Sequence, residues 1–296
     1  GIPNMKLDKS VVFRRQRILE EEGIEFKTGC DVGIDLSLAD LQSEYDAVVM
    51  CCGAKKPRPL ACADPAKVKG VYYAVDFLKE VTRGVLNGKI DKALAAQVEN
   101  KHVIVVGGGD TGNDCIGTVI RMGAASVTAL EMMPKPPVSR TDDNPWPEWP
   151  KILRTDYGHN EAVWKFGEDP RVYETTVKDI SADKGRIRGI RTVRVGFDNG
   201  KLIEKPGTEK DMKCDLLLIA AGFIGTEDTL PDSAGVKRCV RGVVETKAED
   251  IYASNIAGVF TAGDMHRGQS LVVWAIREGL ECAAEVDAYL MGYSNL

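Results

Sequence analysis

Val103-Ile104-Val105-Val106-Gly107-Gly108-Gly109-Asp110-Thr111-Gly112 decides the fold. Four consecutive β-branched apolar residues predict a strand buried on both faces, as in a parallel sheet. The glycines predict a tight turn, and Cys115, Ile116, Val119 and Ile120 then recur at helical spacing as far as Gly123. Asp110 or Thr111 is placed to cap that helix. Together these parts cradle a dinucleotide pyrophosphate. Gly107 permits the turn, Gly109 admits the phosphate to the backbone, and Gly112 lets helix and strand pack closely; Gly108 completes the loop. A bare G-x-G-x-x-G is weak evidence. The strand before it, the helix after it and a second strand over 126–131 supply the context that the assignment needs.

Glu131 ends that second strand, 24 residues beyond Gly107. A carboxylate there accepts hydrogen bonds from the adenosine ribose and repels a 2′-phosphate, which favours NADH over NADPH. The alternative is a merely solvated strand end. Lys135 and Arg140 follow closely enough to neutralise a phosphate, so NADPH stays open.

Working outward, the loop lies in mid-chain, whereas a simple nucleotide domain opens with it. Residues 45–54 and 215–223 each predict a buried strand ending in a glycine turn, and 258–262 predicts another that leads into Gly263-Asp264. The expected architecture is α/β: an NAD(P)H-binding Rossmann-like domain at 74–240, inserted in a partial FAD-binding Rossmann-like domain made of 1–73 and 241–296. Helices are expected at 9–22, closed by Gly23, at 75–86 and from about Ser270, with a short helix or turn at 38–41 and a short strand at 24–26. Residues 134–150 read as an irregular excursion. Beyond Arg171, Asp183-Lys184-Gly185 and Asp198-Asn199-Gly200 predict hairpin turns in a β-rich stretch.

The 296 residues, 44% hydrophobic and 28% charged, have the profile of a soluble globular protein of two cores. A formal net charge of −5 argues against nucleic acid or an anionic membrane as the main partner, and no apolar run nears the ~20 residues of a membrane span. Gly1-Ile2-Pro3-Asn4-Met5-Lys6 has no apolar signal core and no initiator Met, so it reads as neither targeted nor a natural start; a cytoplasmic location is expected. Eight cysteines without a C-x-x-C pair, and three histidines, predict buried reduced thiols rather than a metal site. Cys51 and Cys52 are strand neighbours facing opposite sides, where a disulfide would be strained.

Four strings taken together, GGGDTGNDC (107–115), NPWPEWP (144–150), DYGH (156–159) and AGDMHRGQSLVVWAIREG (262–279), closely resemble the small (β) subunit of glutamate synthase. They also resemble the corresponding C-terminal region of the single-chain NADH-dependent enzymes. The resemblance implies hydride transfer from a nicotinamide nucleotide to FAD. Electrons would then pass through iron–sulfur clusters to the FMN of a large subunit, where 2-oxoglutarate and glutamine-derived ammonia become glutamate. It implies that Gly263, Asp264, Gln269, Ser270 and Leu271 sit against FAD, that Cys52-Gly53-Ala54 borders it, and that Ala221-Gly222 lies near the cofactors. No catalytic side chain is implied, because hydride transfer needs aligned rings more than an acid or base. His159 and His266 are therefore read as structural or cofactor-packing.

The family places a cysteine-rich domain and a first FAD glycine fingerprint before the equivalent of Gly1. This chain thus resembles the family without that iron–sulfur/FAD portion, which joins the large subunit as an expected partner. Trp146, Trp149, Tyr157 and Trp164 read equally as a docking surface for that subunit or as an aromatic cover on their own domain. Two other readings remain: the reductase part of another flavin and iron–sulfur oxidoreductase, such as dihydropyrimidine dehydrogenase, or a nucleotide-binding module without turnover.

Overall fold

The apolar run at 103–106 is indeed a strand, and its neighbours in the sheet come from distant parts of the chain. A computed structural model describes all of residues 1–296. The chain begins with α1 (Lys9–Glu21), α2 (Leu38–Glu44), β1 (Val48–Met50), β2 (Val71–Tyr73), α3 (Ala74–Leu86), α4 (Lys92–Ala96), β3 (His102–Val106), α5 (Asp110–Arg121) and β4 (Ser126–Leu130). It continues through α6 (Tyr157–Phe166), β5 (Arg171–Val172), β6 (Thr175–Asp183), β7 (Arg186–Asp198), β8 (Lys201–Glu204), β9 (Lys210–Lys213) and β10 (Leu216–Ile219). It ends with α7 (Thr229–Ala234), β11 (Val259–Thr261), α8 (Asp264–Arg267) and α9 (Val272–Met291).

One compact unit comprises Gly1–Leu19 and Pro59–Ala221; the other comprises Glu20–Arg58 and Gly222–Leu296. These limits differ from divisions at 73/74 and 240/241, for local reasons. β2 pairs with β10, so the segment leading into β2 stays with the first unit. Past β10, α7 places Leu230 in a core with Leu38, Met50 and Val259, which takes residues 222–240 into the second. Residues 1–19 stay with the first unit, where Lys6 Nζ lies 3.1 Å from Asp114.

The first unit is built on a five-stranded parallel sheet in the order β2-β10-β3-β4-β5. Alternate side chains of its strands face opposite cores. Val103, Val105, Leu216 and Leu218 pack with Phe77, Leu78 and Val81 of α3 and Ile116 and Val119 of α5. Ile104, Val106, Leu217 and Ile219 pack with Val177, Ile187 and Ile190 of an antiparallel sheet formed by β6 to β9. Lys184-Gly185 and Asn199-Gly200, all at positive φ, form its two-residue hairpin turns.

The second unit holds only one strand pair, β1 and β11, parallel and in register from Val48↔Val259 to Met50↔Thr261. This shortens the strand expected over 45–54 to three residues. Val49 of β1 and Cys51 and Cys52 just beyond it are exposed rather than buried. Residues 24–26 form no strand, and Ile24 and Phe26 are exposed. α1, most of which belongs to the first unit, forms but buries none of its residues; in α9 Glu278 and Cys282 are buried, Cys282 in an apolar cluster with Phe260 and Ala262. The thiols divide likewise, Cys115, Cys214 and Cys282 being buried while Cys30, Cys51 and Cys52 are exposed. No helix is long and apolar enough to cross a membrane.

Candidate functional site

In the first unit, β3 and β10 run parallel as far as Val106↔Ile219, so Gly107 and Ala220 leave the sheet side by side. From β3 the chain passes through α5 to β4 on one side, while β10 lies on the other. That is a topological switch point, where α/β sheets take their ligands. The approach is close: a Cβ on Gly107, which sits at φ +120°, would lie 2.3 Å from the Ala220 carbonyl oxygen. A Cβ on Gly112 would lie 2.1 Å from the Gly107 oxygen, whereas one on Gly109 would meet nothing within 4 Å. The open face of the loop is therefore at Gly109.

Gly109 is also the N-cap of α5, and no side chain caps that helix. Neither Asp110 nor Thr111 takes the capping role expected of it. The amides of Asp110, Thr111 and Gly112, left uncapped by protein, together with the helix dipole make an anion cradle. The residues present thus fit a dinucleotide pyrophosphate.

Glu131 is not a solvated strand end. Gly108 N–H donates to its Oε2 at 2.8 Å and Met133 N–H to its Oε1 at 3.0 Å. The carboxylate lies so near the loop that a Cβ on Gly108 would come within 2.5 Å of it. Arg140 is turned to a different use from phosphate neutralisation. It donates to the carbonyls of Asn144 at 3.1 Å, Pro145 at 3.3 Å and Glu148 at 2.8 Å, and so organises its own loop. Lys135 is exposed.

Behind the cradle, α5 packs tightly on α6. Cβ atoms on Gly117 and Gly158 would meet the Tyr157 ring at 2.5 Å and the Asn113 oxygen at 2.4 Å respectively. Asn113 Oδ1 accepts the Gly158 and His159 amides at 2.9 and 3.3 Å, and the Tyr157 hydroxyl donates to Asp114 at 2.9 Å. Burial pushes the Asp114 carboxyl above its ordinary value, against the pull of Lys6 and Tyr157. Burial, then the charge of Arg171, holds the His159 imidazole below its ordinary value, and Asp156 N–H donates to its Nδ1 at 3.2 Å. Sequence reasoning missed Lys6, Asn113 and Asp114. The paired small residues Gly117 and Gly158 were the available signal.

In the second unit the parallel register sends 51–54 and 262–264 off the same end of the strand pair. Cys52 and Gly53 line a cavity of about 510 Å³ with Cys30, Asp31, Thr226 and Met265, and Ala54 is buried beside it in sequence. Gly263 and Asp264 do not line that cavity, although the next residue, Met265, does. Gly263 takes φ +68°, and Asp264 Oδ1 accepts the Ser270 amide at 3.2 Å and hydroxyl at 3.1 Å. Gln269, Ser270 and Leu271 are exposed between α8 and α9. Ala221 closes the first unit; Gly222, at φ +80°, opens the second and accepts the Arg58 amide at 2.9 Å. A ligand-sized cavity beside Cys52-Gly53 and a glycine-only turn at 263 fit a nucleotide cofactor in this unit as well.

The pattern of the pyridine nucleotide-disulphide oxidoreductase family matches residues 7–279. The chain belongs to this family. It is 44% identical over its whole length to the small chain of NADPH glutamate synthase from Bacillus subtilis, of which it spans 61%. It is 42% identical over 98% of its length to NADH glutamate synthase of Saccharomyces cerevisiae, of which it spans 14%. Thus the chain spans less than two thirds of either of these curated relatives. A solved structure of FprA from Mycobacterium tuberculosis in complex with NADPH superposes with a TM-score of 0.70 at 14% identity, over 98% of this chain and 74% of that one. Family membership accords with a fold of the two-dinucleotide-binding flavoprotein type.

Proposed function

We propose that this chain is the electron-input part of a glutamate synthase. It passes hydride from a nicotinamide nucleotide towards FAD and so supports glutamate formation from glutamine and 2-oxoglutarate on a large-subunit partner. One observation carries this reading: 44% identity to a glutamate synthase small chain along the entire chain. The open, uncapped glycine cradle agrees with it. FAD, when bound, supplies the change from two-electron hydride chemistry to single-electron transfer.

The chain's own residues bind and orient. The amides of Asp110, Thr111 and Gly112 and the α5 dipole hold the nucleotide pyrophosphate. Glu131, already fixed by two amides, keeps lone pairs for the ribose hydroxyls and repels a 2′-phosphate, which favours NADH. Cys52, Gly53 and Ala54 with Gly263, Asp264, Gln269, Ser270 and Leu271 hold FAD, and Ala221-Gly222 lies near the cofactors. The partners are the large subunit and an iron–sulfur/FAD portion. Trp146, Trp149 and Trp164, 82%, 67% and 85% exposed, are the docking face for the former. Tyr157 is not part of that face, since its hydroxyl is bonded to Asp114.

A second reading draws on the two-stranded sheet of the second unit, which is marginal as a flavin platform: a module that binds nucleotide without turnover when alone. Adding FAD and then NADH to the chain without oxygen separates the two. Bleaching of a protein-bound flavin band supports electron input. Nucleotide binding without flavin uptake supports the module, and no nucleotide binding defeats both.

A further inference from the structure

α9 is a 20-residue helix whose only buried residues are Glu278 and Cys282. An apolar helix would be expected to dock through an apolar stripe. That stripe is present, Cys282 and Val286 packing with Phe260 and Ala262, but one turn before it a carboxylate with 3% exposure also faces inward. Burying a carboxylate is unfavourable unless hydrogen bonds replace its water. Glu278 has three partners, and all belong to the segment around α8. Gly263 N–H donates to Oε2 at 2.8 Å, His266 Nδ1 lies 3.1 Å from the same oxygen, and Arg267 donates to Oε1 at 3.1 Å.

The three partners lie at the two ends of one turn of chain. Gly263 begins α8 at φ +68° and ψ −148°, a conformation that a side chain would strain, and Arg267 ends it. The amides of His266 and Arg267 return to the Gly263 carbonyl at 2.9 Å, closing the turn from inside. The His266 ring continues outward, its Nε2 3.0 Å from the Thr246 hydroxyl, and Arg267 stacks on Trp274 of α9 at 4.3 Å. The side chain of Asp264 does not touch Glu278; it is tied to Ser270. Glu278 thus holds the backbone that presents Asp264, and leaves the presented carboxylate alone.

We infer that Glu278 is a positioning residue for the Gly263–Asp264 turn: its carboxylate, held by Gly263, His266 and Arg267, sets the geometry in which this turn meets the flavin. The inference rests on the proposed flavin role of the second unit. Glutamine at 278 has the same shape, but one of its two acceptor oxygens becomes an NH₂ facing Arg267 or His266. The turn then loses a charged anchor while the helix keeps its packing. Cys282→Ser, at the other buried position of α9, disturbs helix docking against Phe260 and Ala262 but removes none of the hydrogen bonds that hold the turn, and serves as the comparison.

Hydrogen exchange over 262–271 in the full chain, followed by titration with FAD, tests this. Glu278→Gln should speed exchange in that segment about tenfold, lower FAD affinity about tenfold and shift the bound flavin's absorbance. Cys282→Ser should do none of these, whatever its effect on melting. Unchanged exchange in Glu278→Gln, or equal effects of the two substitutions, overturns the positioning role. A wild-type chain that takes up no FAD defeats the flavin half of the proposed function instead, and the exchange comparison still decides whether Glu278 sets the turn.

Discussion

Replacing Gly112 and Gly109 in turn by alanine separates the packing of the glycine loop from its binding surface. At Gly112 the added Cβ would start 2.1 Å from the Gly107 oxygen, against 3.4 Å or more in ordinary contact, so α5 and the loop must part by about 1.3 Å. Alanine is the better helix former by ~1 kcal/mol, whereas overpacking of this kind costs ~1–3 kcal/mol. The net loss of stability is therefore ~0–2 kcal/mol. The displaced amides would no longer converge on one phosphate, and NADH affinity should fall tenfold or more, about 1.4 kcal/mol. At Gly109 the backbone already has φ −80°, and a Cβ meets no protein atom within 4 Å. Alanine is the poorer N-cap by ~0.5–1 kcal/mol, offset by a similar gain from a stiffer unfolded chain. Melting should barely change. NADH affinity should nevertheless fall at least tenfold, because the methyl group occupies the space reserved for the pyrophosphate. Isothermal titration of NADH with a thermal melt of each variant reads both quantities. If Gly109→Ala binds NADH like the wild type, the pyrophosphate does not lie on this loop and the reading of the first unit fails. If Gly112→Ala leaves both melting and affinity intact, the close approach of α5 to the loop is wrong.

Two further outcomes follow from the same site. Glu131→Ala should weaken NADH and strengthen NADPH, measured as the ratio of their dissociation constants, and an unchanged ratio removes Glu131 from nucleotide selection. Buried His159 has its imidazole held below the ordinary value, so the folded state binds its proton less readily than the unfolded chain. Its contribution to stability is therefore present above the ordinary imidazole value near ~6.5 and lost as pH falls below it. Melting temperature should drop across that window in the wild type and drop less in His159→Asn, whose side-chain oxygen can still accept the Asp156 amide. Parallel pH profiles for the two proteins would show that His159 is not responsible.

Much of the first unit was legible in the sequence, because a buried parallel strand, a glycine turn and a helical period each leave a local pattern. Residues 103–123 and the two hairpin turns needed only their own neighbours. The second unit was read less well. An apolar run such as 45–54 does not reveal how many strands flank it, and with one partner it keeps three paired residues. Exposure of Cys51 and Cys52 escaped reading for a similar reason, since an apolar run does not show what covers it. Division of the chain also escaped local reading, since β2 and α7 are assigned by what they pack against.

By itself the sequence determined the kind of protein this is: the glycine loop specifies an anion cradle at a helix N-terminus, and the acid at 131 stands where the second strand ends. These depend on the positive φ of Gly107, on the space left by the missing side chains of Gly109 and Gly112, and on spacings set by the rise of strand and helix. Tertiary structure alone decided what the polar side chains do. Arg140 turns inward to carbonyls, Glu131 braces the loop through Gly108, Asp114 is buried against Lys6 and Tyr157, and Glu278 grips the Gly263 turn. A charged residue has the same sequence signature whether it faces water or a buried donor. Only the fold brings Glu278 back to an amide 15 residues earlier, and the unfavourable burial of its charge is offset only once those donors are in place.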